Sequence, residues 1–153
     1  MNSLGKDIKS ETYSKFAFPS TAVTAGGSGD NTEVDGATID LSAIPASPRS
    51  IVFEVPFRAV LAAAATGIIT SNLQDSADGS SWTDITTPAV LLTLTGGGGG
   101  TTEVGVARIG YDLSKARRYV RIQATPNLSA TSVDTAVMGA AVALFGGLAE
   151  LPQ

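Results

Sequence analysis

The side chains best equipped for chemistry sit in one basic run. Arg117, Arg118 and Arg121, with Arg108 and Lys115, make up five of the ten Lys and Arg residues in the chain. Three readings fit guanidinium groups so placed. One is a solvated strand face whose Arg stems cover apolar surface. Another is a subunit contact, pairing with acids such as Asp30, Glu33, Asp35 and Asp40 of a neighbouring copy. The third is a local nucleic-acid contact. A net charge of −4 works against the third, and no nucleic-acid partner is expected.

Other chemistry is thinner. Asp75, Asp78 and Asp84 could be taken for a calcium loop. The spacing lacks the alternating acids, central Gly and terminal Glu that a calcium-binding helix–loop–helix needs, so turn-forming acids are the reading. Gly96–Gly100 is five consecutive glycines, but a phosphate-cradling loop requires Lys-Ser/Thr and a helix after it. Thr101-Thr-Glu-Val104 follows instead. Trp82 is the only Trp and reads as a core or hairpin-edge residue rather than a sugar-stacking platform. The chain has no His and no Cys. That removes the usual Ser-His and Cys-His nucleophile systems and thiolate metal sites. Nothing in the spacing of the 14 acids points to a hydrolytic pair. The expectation is a protein that is not an enzyme and that has no catalytic residue, no metal and no cofactor.

The element that holds the arginines is a strand. In Arg118–Thr125, Val120, Ile122 and Ala124 point one way, and Tyr119, Arg121, Gln123 and Thr125 the other. Pro126-Asn127 is expected to end it. Ser50–Leu61 is the strongest strand by residue type, with Ile51, Phe53, Val55 and Phe57 on one face. Pro56 lacks a ladder donor and argues for an edge or a bulge there. Thr32–Leu41, Ile68–Gln74, Trp82–Ile85, Ala89–Thr95 and Thr101–Ile109 also read as strands, the last with Val104, Val106 and Ile109 as its apolar residues. Val133–Leu144 reads as the final strand, with a helix over Ala136–Leu144 as the alternative. Gly96–Gly100 is expected to be a mobile hairpin loop.

These spacings predict an all-β fold, an antiparallel β-sandwich or jelly roll of about seven or eight strands. The domain spans residues 32–153. Residues 1–31 are expected to be an extended N-terminal arm and linker, ending in Ala25-Gly-Gly-Ser-Gly-Asp-Asn31. Tyr13, Phe16 and Phe18 are three of the nine aromatics, and a solvated linker would seldom carry them. They are candidate partner contacts, as are Arg117, Arg118 and Arg121. Folding of the tail back onto its own domain is the alternative.

The N-terminal residues lack the apolar core of a secretory signal. The apolar run Ala136–Ala149 is short of the roughly 20 residues a membrane helix needs, so no membrane partner is expected. Charged residues are only 16% of the chain, against roughly 25% in ordinary soluble domains. Such a surface fits a protein that lives against other copies or on an assembly, and on composition alone it fits an ordinary extracellular β-domain rich in Ser and Thr equally well.

Two stretches carry a family resemblance. One is Asn72-Leu-Gln-Asp-Ser-Ala-Asp-Gly-Ser-Ser-Trp-Thr-Asp-Ile85. The other is Tyr111-Asp-Leu-Ser-Lys-Ala-Arg-Arg-Tyr-Val-Arg-Ile-Gln-Ala-Thr-Pro126, followed by an Ala/Val-rich strand and Phe145–Pro152. Over about residues 32–152 the chain resembles the decoration (cement) class of small head proteins of tailed bacteriophages. The resemblance implies a structural virion protein on the capsid surface. Its partners would be the major capsid protein and further copies of itself, often as a trimer. Ser76–Trp82 with Arg118–Arg121 is also similar to discoidin-like jelly rolls, which implies carbohydrate binding as an alternative. A tail- or fibre-associated structural protein is a third reading.

Overall fold

The computed structural model describes residues 12–45, 47–130 and 133–146. Among them are twelve strands: β1 (Tyr13–Phe18), β2 (Thr21–Thr24), β3 (Val34–Asp35), β4 (Ile39–Asp40), β5 (Ser50–Leu61), β6 (Thr66–Ser76), β7 (Thr83–Asp84), β8 (Ala89–Thr95), β9 (Thr101–Asp112), β10 (Tyr119–Leu128), β11 (Thr135–Met138) and β12 (Ala141–Gly146). Short 3-10 turns at Leu41–Ala43 and Leu113–Lys115 are the described helical pieces. The strands form two six-stranded antiparallel sheets packed as a sandwich.

Several strands are two halves of one broken strand. β12 and β11 lie along the same side of β5, and β1 and β2 lie along their far side. β3 and β4 share one side of β10, while β7 and β8 share one side of β6. Joining the halves leaves eight strands. Sheet A then reads first–eighth–third–sixth (β1/β2, β12/β11, β5, β9), and sheet B second–seventh–fourth–fifth (β4/β3, β10, β6, β7/β8). First pairs with eighth, second with seventh, third with sixth and fourth with fifth. That is one long antiparallel ribbon rolled on itself, the jelly-roll wind.

The core lies between the sheets. Ile51, Phe53, Val55, Phe57, Ala59 and Leu61 alternate inward from β5, facing Ile69 and Leu73 of β6 and Val120, Ile122 and Ala124 of β10. Alanines 107, 124, 141 and 143 are also buried. Small side chains at these places let two pleated surfaces approach closely around a few phenylalanines.

The N-terminal segment differs from the expected arm. Its described part, residues 12–31, is built into the body. β1 pairs with β12, β2 with β11, and Phe18, Val23 and Ala25 are core residues. The turn-rich stretch after them is tied down as well. Asp30 accepts from the Gly26 N–H and, across the sandwich, from the Leu128 N–H, both at 2.8 Å. The reason is the unpaired flank of the β12/β11 strand, which needs hydrogen-bond partners. Residues 1–11 lie outside the described residues.

Pro56 sits in a central strand, not at an edge. β9 pairs continuously on one side of β5, including Pro56 opposite Val106. On the other side the neighbour is interrupted at Gly139, between β11 and β12. No ladder donor is needed from Pro56 there, and its carbonyl accepts the Gly139 N–H at 2.7 Å. A Cβ on Gly139 would stand 3.1 Å from the Pro56 Cβ. The break is why 133–144 is two strands rather than one strand or a helix.

Two further expectations change. Gly96–Gly100 is no hairpin loop, because it carries the chain from β8 in sheet B to β9 in sheet A. Its backbone supplies anchors. The Gly96 N–H donates to the Ala65 carbonyl at 2.9 Å, and the Ala64 N–H donates to the Gly96 carbonyl at 3.0 Å. β10 runs through Pro126 to Leu128, because β6 stays paired along that whole length.

Candidate functional site

The three arginines are placed by the corner before β10. Asp112 caps the 3-10 turn by accepting the Ser114 N–H at 2.8 Å. Arg117 then meets Asp75 at the end of β6. Its backbone N–H reaches Asp75 Oδ2 at 2.9 Å, its Nε reaches Oδ1 at 2.8 Å and its Nη2 reaches the Asp75 carbonyl at 2.9 Å. The Asp75 side chain is 4% exposed and that of Arg117 40%. Burial pushes the Asp75 carboxyl up, but the side-chain and backbone hydrogen bonds from Arg117 outweigh it and hold it below the ordinary value. The same side-chain bonds raise Arg117.

Arg118 forks onto Asp40, with Nε at 3.1 Å from Oδ1 and Nη2 at 2.7 Å from Oδ2, and lies 4.9 Å from the Tyr119 ring centre. This bond, with those from Ser42, holds the Asp40 carboxyl well below the usual range. Arg121 donates to Gln74 at 2.8 Å, stands 3.1 Å from Asp35 and stacks 4.5 Å from the Trp82 ring centre. Asp35 and Asp40, named as acids of a neighbour, are therefore bound within the chain. The outward face of sheet B is a closed polar network, extended by Gln123 donating at 2.6 Å to both Glu33 and Asp35. The two stretches that carry the resemblance meet at Asp75 and Arg117, at the end of sheet B, where Asp75 shares the inward phase of Leu73 and Val120.

The Asp75, Asp78 and Asp84 trio is divided among other tasks. Asp78 accepts the Ser80 and Ser81 N–H groups at 2.8 Å, and Asp84 accepts from Asn72 and Gln74 at 2.9 and 2.7 Å. No group of three possible metal ligands occurs among the described residues.

The aromatic candidates separate. Phe18 is 0% exposed, inside the core of its own chain. Tyr13 is half-buried against that core, with Lys15 Nζ 5.5 Å from its ring centre. Phe16 is 56% exposed. The bulge in β1 at Phe16–Phe18 changes which residues face inward, so two nearby phenylalanines have opposite surroundings.

Phe16 belongs to a surface that the spacing alone did not reveal, the outer face of sheet A. Pairing carries the rows Phe16–Val142–Glu54–Arg108 and Ala22–Val137–Arg58–Val104 across it, with Pro56–Val106 between and Val60–Thr102 beyond. Of the eight exposed large hydrophobics among the described residues, six lie here: Phe16, Val60, Val104, Val106, Val137 and Val142. Arg108 and Glu54 pair with each other at 3.2 Å. Of the apolar residues that mark this strand, Val104 and Val106 face outward, while Ala107 is buried, with Glu103, Gly105, Ile109 and Tyr111 half-buried on the same side. Valine on both phases of neighbouring strands was the available signal, since a sheet with one wet face alternates apolar with polar. An open hollow of about 360 Å³ lies at the break in this sheet, bordered by Pro56, Arg58, Val104, Val137 and Gly139.

No protein-family model matches the chain, and no curated protein matches it. Among solved structures, one described as "Structure of infectious bursal disease virus Gx strain" is similar with a TM-score of 0.47 and 10% sequence identity. The similarity covers 92% of this chain and 34% of that one, so the chain spans about a third of the length of the structure it matches. A likeness at that TM-score and identity assigns neither family nor function.

Proposed function

We propose that this chain is a structural virion protein of the decoration class. It sits on the outer capsid surface and stabilises the head through contacts with the major capsid protein and with its own copies, as a trimer. The observation that carries the reading is the apolar outer face of sheet A. A sheet face that exposes six large hydrophobic side chains, interspersed with Glu54, Arg58 and Arg108, fits a protein–protein contact. The jelly roll, a fold used by capsid proteins, and the low charge content support the same reading, as does the resemblance of residues 72–85 and 111–126. The carbohydrate-binding alternative draws less support, because the Arg121 guanidinium covers one face of Trp82.

Sedimentation equilibrium of the full chain, with co-sedimentation on capsids of the virus that encodes it, tests the proposal. The expected outcome is a trimer that pellets with capsids. Val104→Asp with Val137→Asp should leave the unfolding transition of the monomer near its original midpoint and abolish both associations. A chain that stays monomeric at high concentration and does not bind capsids overturns the reading. Binding to tails instead of heads moves the protein to the fibre-associated class.

A further inference from the structure

One edge of sheet A differs from every other edge of the sandwich. β9 pairs with β5 over its full length with no shift of register. Among the described residues nothing is hydrogen-bonded to the other side of β9. β8 approaches it from the inner side, where Leu92 and Leu94 come up against Gly105. The remaining edge strands are blunted. β1 and β8 carry register shifts, β3, β4 and β7 are two residues long, and β2 is bridged to Gly29 at Thr24. Bulges and short strands keep a sheet edge from pairing with another chain. β9 has neither, and it contains no Pro and no Lys.

The ladder fixes what this edge presents. The Leu113 N–H donates to the Arg49 carbonyl at 2.9 Å, one step beyond the Ser50–Asp112 pair. In an antiparallel strand the N–H and C=O of one residue point to the same side, and the side alternates along the chain. The odd-numbered residues of β9 therefore bond β5, and Thr102, Val104, Val106, Arg108 and Gly110 turn their backbone groups outward. Pro56 agrees with this phase. It stands opposite Val106, and its carbonyl takes the Gly139 N–H on the far side of β5. Val104 and Val106, 69% and 54% exposed, stand beside the open groups.

We infer that β9 pairs antiparallel with β9 of a second copy, about a two-fold axis at Gly105, joining the two A sheets edge to edge. An antiparallel edge is complementary to itself, because its donors and acceptors recur in the same order when the strand is reversed. The axis at Gly105 sets Val104 against Val106 of the second copy and Thr102 against Arg108, so apolar meets apolar. Moving the axis to Val106 would set Arg108 against Val104, and moving it to Arg108 would oppose two like charges. The outer faces of both copies fall on one side, which merges their exposed valines into one surface. This contact uses the edge of sheet A rather than its face. It is distinct from the proposed trimer contact, and it stands whether or not the capsid role holds.

The full chain has no cysteine, so single labels test the pairing. A nitroxide is placed on Thr102→Cys and, in a second sample, on Arg108→Cys, and the separation between copies is read by pulsed electron paramagnetic resonance. The two positions are equidistant from Gly105, so both samples should give the same separation, about 20 Å. Thr102→Pro with Arg108→Pro removes edge donors that β5 does not use and leaves the valines in place. Compared with Thr102→Ala and Arg108→Ala, the proline pair should weaken two-fold association at least roughly tenfold in sedimentation equilibrium. Unequal separations, or none in either sample, overturn the inference. A proline pair that associates as well as the alanine pair overturns it too. The label separations are measured on the unbroken strand and decide the case if the proline pair does not fold. Capsid co-sedimentation without the label separations would leave the capsid role standing and the edge pairing refuted; equal separations without capsid binding would do the reverse.

Discussion

Phe18→Ala distinguishes a docked edge strand from a free arm. The ring is fully buried between β1 and the core, and its removal takes away a whole aromatic contact surface. Truncating a buried Phe costs about 3–5 kcal/mol, from lost transfer free energy and the cavity left behind. For a chain of this size each kcal/mol lowers the midpoint by about 2–4 °C, so the expected loss is about 6–20 °C. The cost is about a fifth or more of the roughly 5–15 kcal/mol that holds a domain folded. Phe16→Ala, two residues away and more than half exposed, should cost less than about 1 kcal/mol. Thermal and urea unfolding followed by circular dichroism measures both. The contrast depends on position alone, since the residue type is the same. If Phe18→Ala unfolds within about 2 °C of the parent, β1 is not part of the sandwich and the edge of sheet A has been misplaced.

The polar network makes its own predictions. Arg117→Ala should lower the urea midpoint clearly, because it leaves the buried Asp75 carboxylate without its ion-pair partner; Arg118→Ala, whose partner Asp40 is better exposed, should lower it much less. Acid should weaken the fold with a definite sign. Asp75 has a folded-state pKa below its unfolded value, so its contribution is present above about pH 4, the unfolded aspartate range, and is lost as pH falls through the folded value. Urea midpoints at pH 7, 4 and 2.5 check this, and Asp75→Asn should flatten the acid limb. Gly96→Ala places a Cβ 2.1 Å from the Ala62 carbonyl oxygen and should destabilise by more than about 1 kcal/mol. At Gly98 a Cβ meets nothing within 4 Å, so Gly98→Ala should shift stability by less than about 0.5 kcal/mol. Equal effects at the two glycines would show that the loop is not anchored.

Much of this molecule was legible in local pattern. β5 and β8 have the bounds that residue type and punctuation predict, Ser50–Leu61 and Ala89–Thr95. Val120, Ile122 and Ala124 are inward, as the period of two requires. The all-β class and seven of the eight joined strands follow from the same regularity, since alternation and turn residues are properties of neighbouring positions. The absence of His and Cys narrowed the chemistry with no fold needed.

Tertiary structure decided what depends on residues far apart in the chain. The partners of Arg117, Arg118 and Arg121 lie 42, 78 and 47 positions away. Nothing local says whether such acids belong to the same chain or a neighbour. Tyr13–Phe18 has too few apolar residues to announce a strand, and it becomes one because the β12/β11 flank offers it a ladder. Pro56 is tolerated in a central strand because Gly139 interrupts the neighbour beside it, a coincidence that only pairing can create. On β9 either phase of the alternation was apolar enough to face inward, and a shift of one residue exchanges the two faces. Packing against β8, where Leu92 and Leu94 approach Gly105, turned Val104 and Val106 outward. The surface on which the proposed function rests was therefore present in the composition, but its place on the molecule was set by the fold.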